Sequence, residues 1–204
     1  MKPGAERWLV ALTIVVLGAL LLPDVRHGLE GDMARHMLVE FALLILAGYG
    51  LATALPVAST AVVSRFDELG VSSLTLATST LAVWMIPAAL DATLADSAAA
   101  MVKYSTLVAT GFALRGIDRR APLPLQSFFV LGLAWMMATV GLIYQESPQQ
   151  LCLYYPTDAQ ERAGRGLVIV AALGTGLWCV HALRELARRS PRRPGGHSRP
   201  TNVS

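Results

Sequence analysis

A chain of 204 residues that is 54% hydrophobic and 15% charged is not composed like a soluble domain, for which roughly 25% charged residues is usual. Its mean hydropathy of +0.50 and repeated apolar runs imply an all-α, polytopic membrane bundle of about six transmembrane helices. Two cysteines exclude a disulfide framework, and a net charge of +3 carried by scattered loops gives no nucleic-acid footprint.

The first apolar run, 8–23, follows Lys2 and Arg7 and stops at Pro23 and Asp24. No small-x-small cleavage site follows it, so it reads as an uncleaved first span. The second run, 37–57, is preceded by "GDMAR" and ends near Pro56. Polar residues 58–70 separate it from the third run, 71–90, and "DATLAD" leads into the fourth, 97–115. After "RGIDRRAPLP" comes the fifth, 123–145; a polar loop then reaches the sixth, 166–184. Residues 185–204 are basic and rich in Pro and Gly, with nothing to bury, and read as a disordered cytoplasmic tail. The tail either touches anionic lipid or is a plain linker.

Lysine and arginine set the orientation. With both termini in the cytoplasm, the inner segments hold twelve basic residues, from Lys2 and Arg7 to Arg199, against four outside: Arg26, Arg35, Arg162 and Arg165. Lys103 falls inside a span. The expected location is a bacterial inner membrane. No two glycines lie four apart, so a GxxxG dimer face is not expected, although Gly48, Gly50, Gly174 and Gly176 allow close helix contacts.

On this topology the outer mouth of the second helix carries Met33, His36, Met37 and Glu40, which share one helical face. Glu40 lies roughly 6 Å deeper than His36 at 1.5 Å per residue. The third helix brings Met85, and the fourth Met101 and Lys103, to the same level, with Asp91 in the loop above. Thioethers favour Cu(I) and imidazole also suits copper, so Met33, His36, Met37, Met85 and Met101 are the candidate metal ligands. Glu40, Lys103 and Asp91 form the candidate polar pocket. An unpaired charge in a bilayer costs at least about 2.5–3.5 kcal/mol, so Glu40 and Lys103 either pair or snorkel to the interface. In the last outer loop, Tyr154 and Tyr155 suit an aromatic belt, and Cys152 is either a thiolate ligand or an inert apolar thiol. Cys179 lies in the last span, where it is not expected to meet Cys152. No nucleophile–base arrangement, phosphate loop or dinucleotide fingerprint is present, which points away from an enzyme.

Three stretches, "HMLVEFALLILAGYGLA", "AVWMIPAALDATLAD" and "YYPTDAQERAG", resemble the multi-span CtaG-like proteins linked to cytochrome c oxidase assembly and copper supply. The matching positions are His36 and Met37, then Trp84, Pro87 and Asp91, then Tyr155, Asp158, Gln160 and Gly164. Glu40 stands where that family often has a second histidine, and Ala159 splits its Asp-Gln pair. The resemblance implies a non-enzymatic role in copper handling or metallocentre assembly for a respiratory oxidase-type client at the periplasmic face. Two other roles fit the sequence: an accessory subunit of a membrane complex without a ligand, and a small transporter or channel using Glu40 and Lys103.

Overall fold

The computed structural model describes residues 3–20, 22–54, 65 and 67–189. Among these every regular element is helical: α1 (Pro3–Leu20), α2 (Pro23–Glu30), α3 (Arg35–Ala54), α4 (Val71–Trp84), α5 (Pro87–Ala95), α6 (Ser97–Leu114), α7 (Ile117–Arg120), α8 (Leu123–Glu146) and α9 (Thr157–Arg189). Among the described residues three of them, α3, α8 and α9, are long and apolar enough to cross a membrane, or up to four if the bent pair α4–α5 counts as one.

The departures from the expected spans have local causes. The run 71–90 is not one helix. It breaks after Trp84, and Pro87 opens α5 at 76° to α4, because proline donates no amide and suits a first helical turn. The hydroxyl of Tyr144 donates to the Met85 carbonyl at 2.6 Å, supplying a partner beside the break. The stretch after the first run, expected as loop, forms α2, opened by Pro23 and carrying the four-apart pair Arg26–Glu30. The last helix begins nine residues before position 166, at Thr157. Its polar first turns are held by the four-apart pairs Asp158–Arg162 and Glu161–Arg165. It also runs through Arg189, so 185–189 of the expected tail is helix. The expected disorder of 190–204, the chain around Pro56 and the end of the second run beyond Ala54 lie outside the described residues.

The centre of the fold is the pair α3–α6. A Cβ on Gly48 would lie 2.0 Å from the Val108 carbonyl oxygen, and one on Gly111 would lie 1.9 Å from that of Ile45. Glycine at both places lets the two backbones touch. Among the expected glycines Gly48 makes such a contact, whereas Gly174 and Gly176 have open space beside them. α1 packs on α3, while α4 and α5 pack on α6. α8 and α9 form a long antiparallel pair, crossing closely at Gly141 and Gly164, and join the rest through α4 and the start of α3. Their outer faces show Phe128, Trp135 and Leu177 at 72%, 78% and 72% exposure. Apolar surface of that extent implies a lipid or protein covering.

Candidate functional site

The site is built where α3 begins. The Asp32 carboxylate accepts hydrogen bonds from the amides of Ala34 and Arg35, starting the helix. Its first turns, Arg35–Glu40, are then π-helical. The i→i+5 pattern fits an extra residue into the turn. Residues four apart therefore stand more nearly above one another than in an α-helix. His36 and Glu40 gain from this: Nε2 and Oε2 are 3.4 Å apart, and both side chains are fully buried.

Lys103, two turns into α6, points straight at them. Its Nζ lies 2.7 Å from His36 Nε2, 2.9 Å from Glu40 Oε1 and 3.6 Å from Glu30 Oε1, and its side chain has 0% exposure. The sequence left pairing and snorkelling open for Glu40 and Lys103; they pair. The contact is an ion pair with both side chains fully buried. On its far side Glu30 meets the half-exposed Arg26 at 3.4 Å and accepts from the Tyr104 hydroxyl at 3.2 Å. Two carboxylates thus face one ammonium inside and one guanidinium at the rim.

Tyr155 fixes the proton on His36. Its hydroxyl hydrogen goes to the Glu30 carbonyl oxygen at 2.7 Å, so towards His36 Nδ1, also at 2.7 Å, the same oxygen must accept. Nδ1 therefore carries the imidazole hydrogen. Nε2 is left as a lone pair facing the ammonium, which donates to it. Burial, followed by the nearby Glu30 charge, keeps the Tyr155 phenol above its ordinary pKa, so it stays a neutral hydroxyl.

A short loop closes this end. Asp91, on α5, accepts from the Leu153 amide at 2.7 Å. Gln160 accepts from the Leu151 amide and donates to the Tyr155 carbonyl. Together they tie down residues 151–155, where Tyr155 enters the cluster and Cys152 is 1% exposed. Burial, then the Asp91 charge, pushes the Cys152 thiol up to about 12. At neutral pH it is a thiol. Cys179 is free and exposed, and Cys152 is also free.

Of the expected metal ligands, Met33, Met37 and Met85 are buried in one cluster with Phe41, Trp84 and Tyr155, and the buried His36 sets its ring edge-on to Phe41 and Tyr155. Met101 is not among them: it is 68% exposed and lines an outer groove with Leu17 and Leu20. The reason is helical phase. The buried stripe of α6 is Ala100, Lys103, Leu107, Thr110 and Gly111, and Met101 lies on the opposite side. Asp91 does not join the Glu40–Lys103 pocket but anchors the closing loop. The imidazole Nε2 is engaged by the Lys103 ammonium at 2.7 Å, with Glu40 Oε2 at 3.4 Å.

Sequence reasoning missed Glu30 and Tyr104 and took Tyr155 first as a belt residue. Glu30 had one legible mark, the Arg26–Glu30 helical spacing after Pro23. Among the described residues one set of His, Cys, Asp or Glu has converging ligand atoms: Glu30, His36 and Glu40, all within 4.8 Å of one another. No family model, curated protein or solved structure matches this chain.

Proposed function

We propose that this chain is a non-catalytic integral protein of a bacterial inner membrane, with about six crossings and both termini cytoplasmic, that assists or accompanies a larger membrane complex. The observation that carries this reading is the closure of the polar cluster. Lys103, His36 and Glu40 are fully buried and face one another. A catalytic centre must admit a reacting atom to its groups, and this one presents none to solvent. A conduction path must also continue. Directly inward from the cluster the next buried residues of α3 and α6 are Phe41, Leu44, Ala47 and Leu107, an apolar layer that favours neither an ion nor a proton and separates the cluster from the buried Thr110 hydroxyl. The exposed aromatic face of α8 offers surface for lipid or a neighbouring subunit. The resemblance suggests a client of the respiratory-oxidase kind, and the Lys/Arg bias puts the cluster on the periplasmic side.

Affinity purification of the tagged chain from its native membranes in mild detergent tests the role. A multi-span partner complex should co-purify in fixed ratio, and deleting the chain should lower the amount of that complex assembled. A chain that purifies alone, with every respiratory complex assembled normally in its absence, would remove the proposal. Reporter fusions after Arg120 and near Gln149 should report cytoplasm and periplasm respectively.

A further inference from the structure

The geometry points to a binding site for a lipophilic quinone, in a groove beside the half of α6 remote from Lys103. The groove has a volume of about 280 Å³ and is lined by side chains of α3, α4, α6, α8 and α9. This goes beyond the accessory role and does not depend on it. Among the described residues four polar side chains line the groove, and two of them are satisfied within the chain. The Thr78 hydroxyl donates to the Leu74 carbonyl and the Gln126 amide to that of Ala121, each at 2.9 Å. The other two are not. The hydroxyl of Thr110, a residue with 0% exposure, and the indole N–H of Trp178 are both buried without a hydrogen-bond partner. A helical threonine commonly turns its hydroxyl back to the carbonyl four residues earlier, as Thr78 and Thr106 do here. Thr110 does not. Buried polar groups are ordinarily paired, and these two exceptions line one groove.

The unpaired groups define the occupant. An indole N–H donates and cannot accept, so the ligand offers it an acceptor; the threonine hydroxyl donates to a second one. The described lining contains no charged residue. A charge placed there would lack a partner, so the occupant's head is neutral. The rest of the lining is apolar and includes the Phe129 ring, and an apolar wall with a few placed polar groups is the usual build of a small-molecule site. A quinone has this chemistry: a flat neutral ring, carbonyl acceptors at opposite edges and an apolar tail that stays in lipid. A phospholipid ester does not, because its carbonyls lie close to a charged headgroup for which the groove supplies no counter-charge. Thr110 and Trp178 stand on α6 and α9, so a ring accepting from both would tie the α8–α9 pair to the α3–α6 core.

Binding of a decyl-substituted benzoquinone to the full-length protein tests this, by equilibrium dialysis with equal detergent on both sides. Wild type should bind about one quinone per chain, saturably, and the quinone should raise its melting temperature. Thr110→Val keeps the shape of the side chain and removes the unpaired hydroxyl; Trp178→Phe removes the indole donor. Each should weaken binding about threefold to tenfold, and together they should abolish it. Without quinone, Thr110→Val should melt no lower than wild type, because no hydrogen bond is lost. Thr78→Val, in the same groove, should leave the affinity unchanged, since that hydroxyl already has its acceptor. A neutral diacylglycerol, which carries ester carbonyls, should not displace the quinone. Wild type that binds no quinone saturably, an affinity unmoved by Thr110→Val, an equal loss in Thr78→Val, or displacement by diacylglycerol at equal concentration would each overturn the proposal. If Trp178→Phe does not fold, Thr110→Val set against Thr78→Val decides.

Discussion

Two of the long-range ion pairs, at opposite ends of the α3–α6 core, are built differently. Lys103–Glu40 is 2.9 Å long with both side chains at 0% exposure. Arg120–Asp67 is 3.3 Å long with side chains at 12% and 6%. The second pair rests on backbone. Asp67 accepts from the amides of Ser72 and Ser73 at the start of α4, and Arg120 donates to the carbonyls of Ala113 and Arg115. If one partner is lost, the other keeps neighbours that satisfy it. The first pair rests on other side chains, from α2, α3, α6 and the loop before α9, and each depends on the rest. Burying a charge among side chains makes an all-or-none unit; burying it among peptide groups makes a local one.

The largest effect expected is at the sealed end. Lys103→Met or Glu40→Gln alone strands a buried charge and should cost about 3–5 kcal/mol, whereas the double variant should recover a substantial part. A double-mutant cycle from unfolding in detergent measures this. Strict additivity would show that the two ends of the molecule obey the same rule. Next is Tyr155→Phe, which leaves His36 Nδ1–H without its acceptor in the interior and should cost about 1–3 kcal/mol.

Asp67→Ala should cost about 1 kcal/mol, mostly as a lost helix cap. This site also has a pH signature. Burial acts to raise the Asp67 pKa, but the Ser73 hydroxyl, the Ser72 and Ser73 amides and Arg120 outweigh it, so the folded value lies below the ordinary one. Its stabilisation is therefore complete above about pH 4, the unfolded value, and is lost as pH falls through the folded value. Acid unfolding of wild type and Asp67→Ala should converge there; curves that remain parallel to the lowest pH would contradict it. Smallest is Met101→Leu, on the outer surface, expected within about 0.5 kcal/mol of wild type by thermal unfolding and without effect on the cluster.

The same contrast explains what was legible beforehand. The backbone-supported end is written locally: an acid shortly before Val71-Ser72-Ser73 is ordinary helix-start chemistry. The face carrying Met33, His36, Met37 and Glu40 was legible too, because helical phase depends on neighbours along the chain. The partners of that face were not. Tyr155 lies 119 residues from His36, and Lys103 lies 67 from it; spacing carries no information about which helix will pack there. The break of the run 71–90 at Pro87 was written in the sequence, but a hydropathy window averages over a single proline. Met101 failed for a similar reason: equal depth was used where helical phase decides.

The π-helical turn at Arg35–Glu40 has a consequence in the arithmetic of chain length. A turn of this kind carries one residue more than the surrounding helix requires, and Val39, inside it, is 44% exposed. Deleting Val39 would let the segment close as ordinary α-helix while leaving the helix beyond Phe41 in its packing register. His36 and everything before it would then turn out of line with Glu40. The spectroscopic helix content should hold or rise, while Glu40 and Lys103 lose their imidazole neighbour. Insertion or loss of one residue here would thus separate two properties that substitutions change together: the continuity of the helix and the convergence of the charged groups on it.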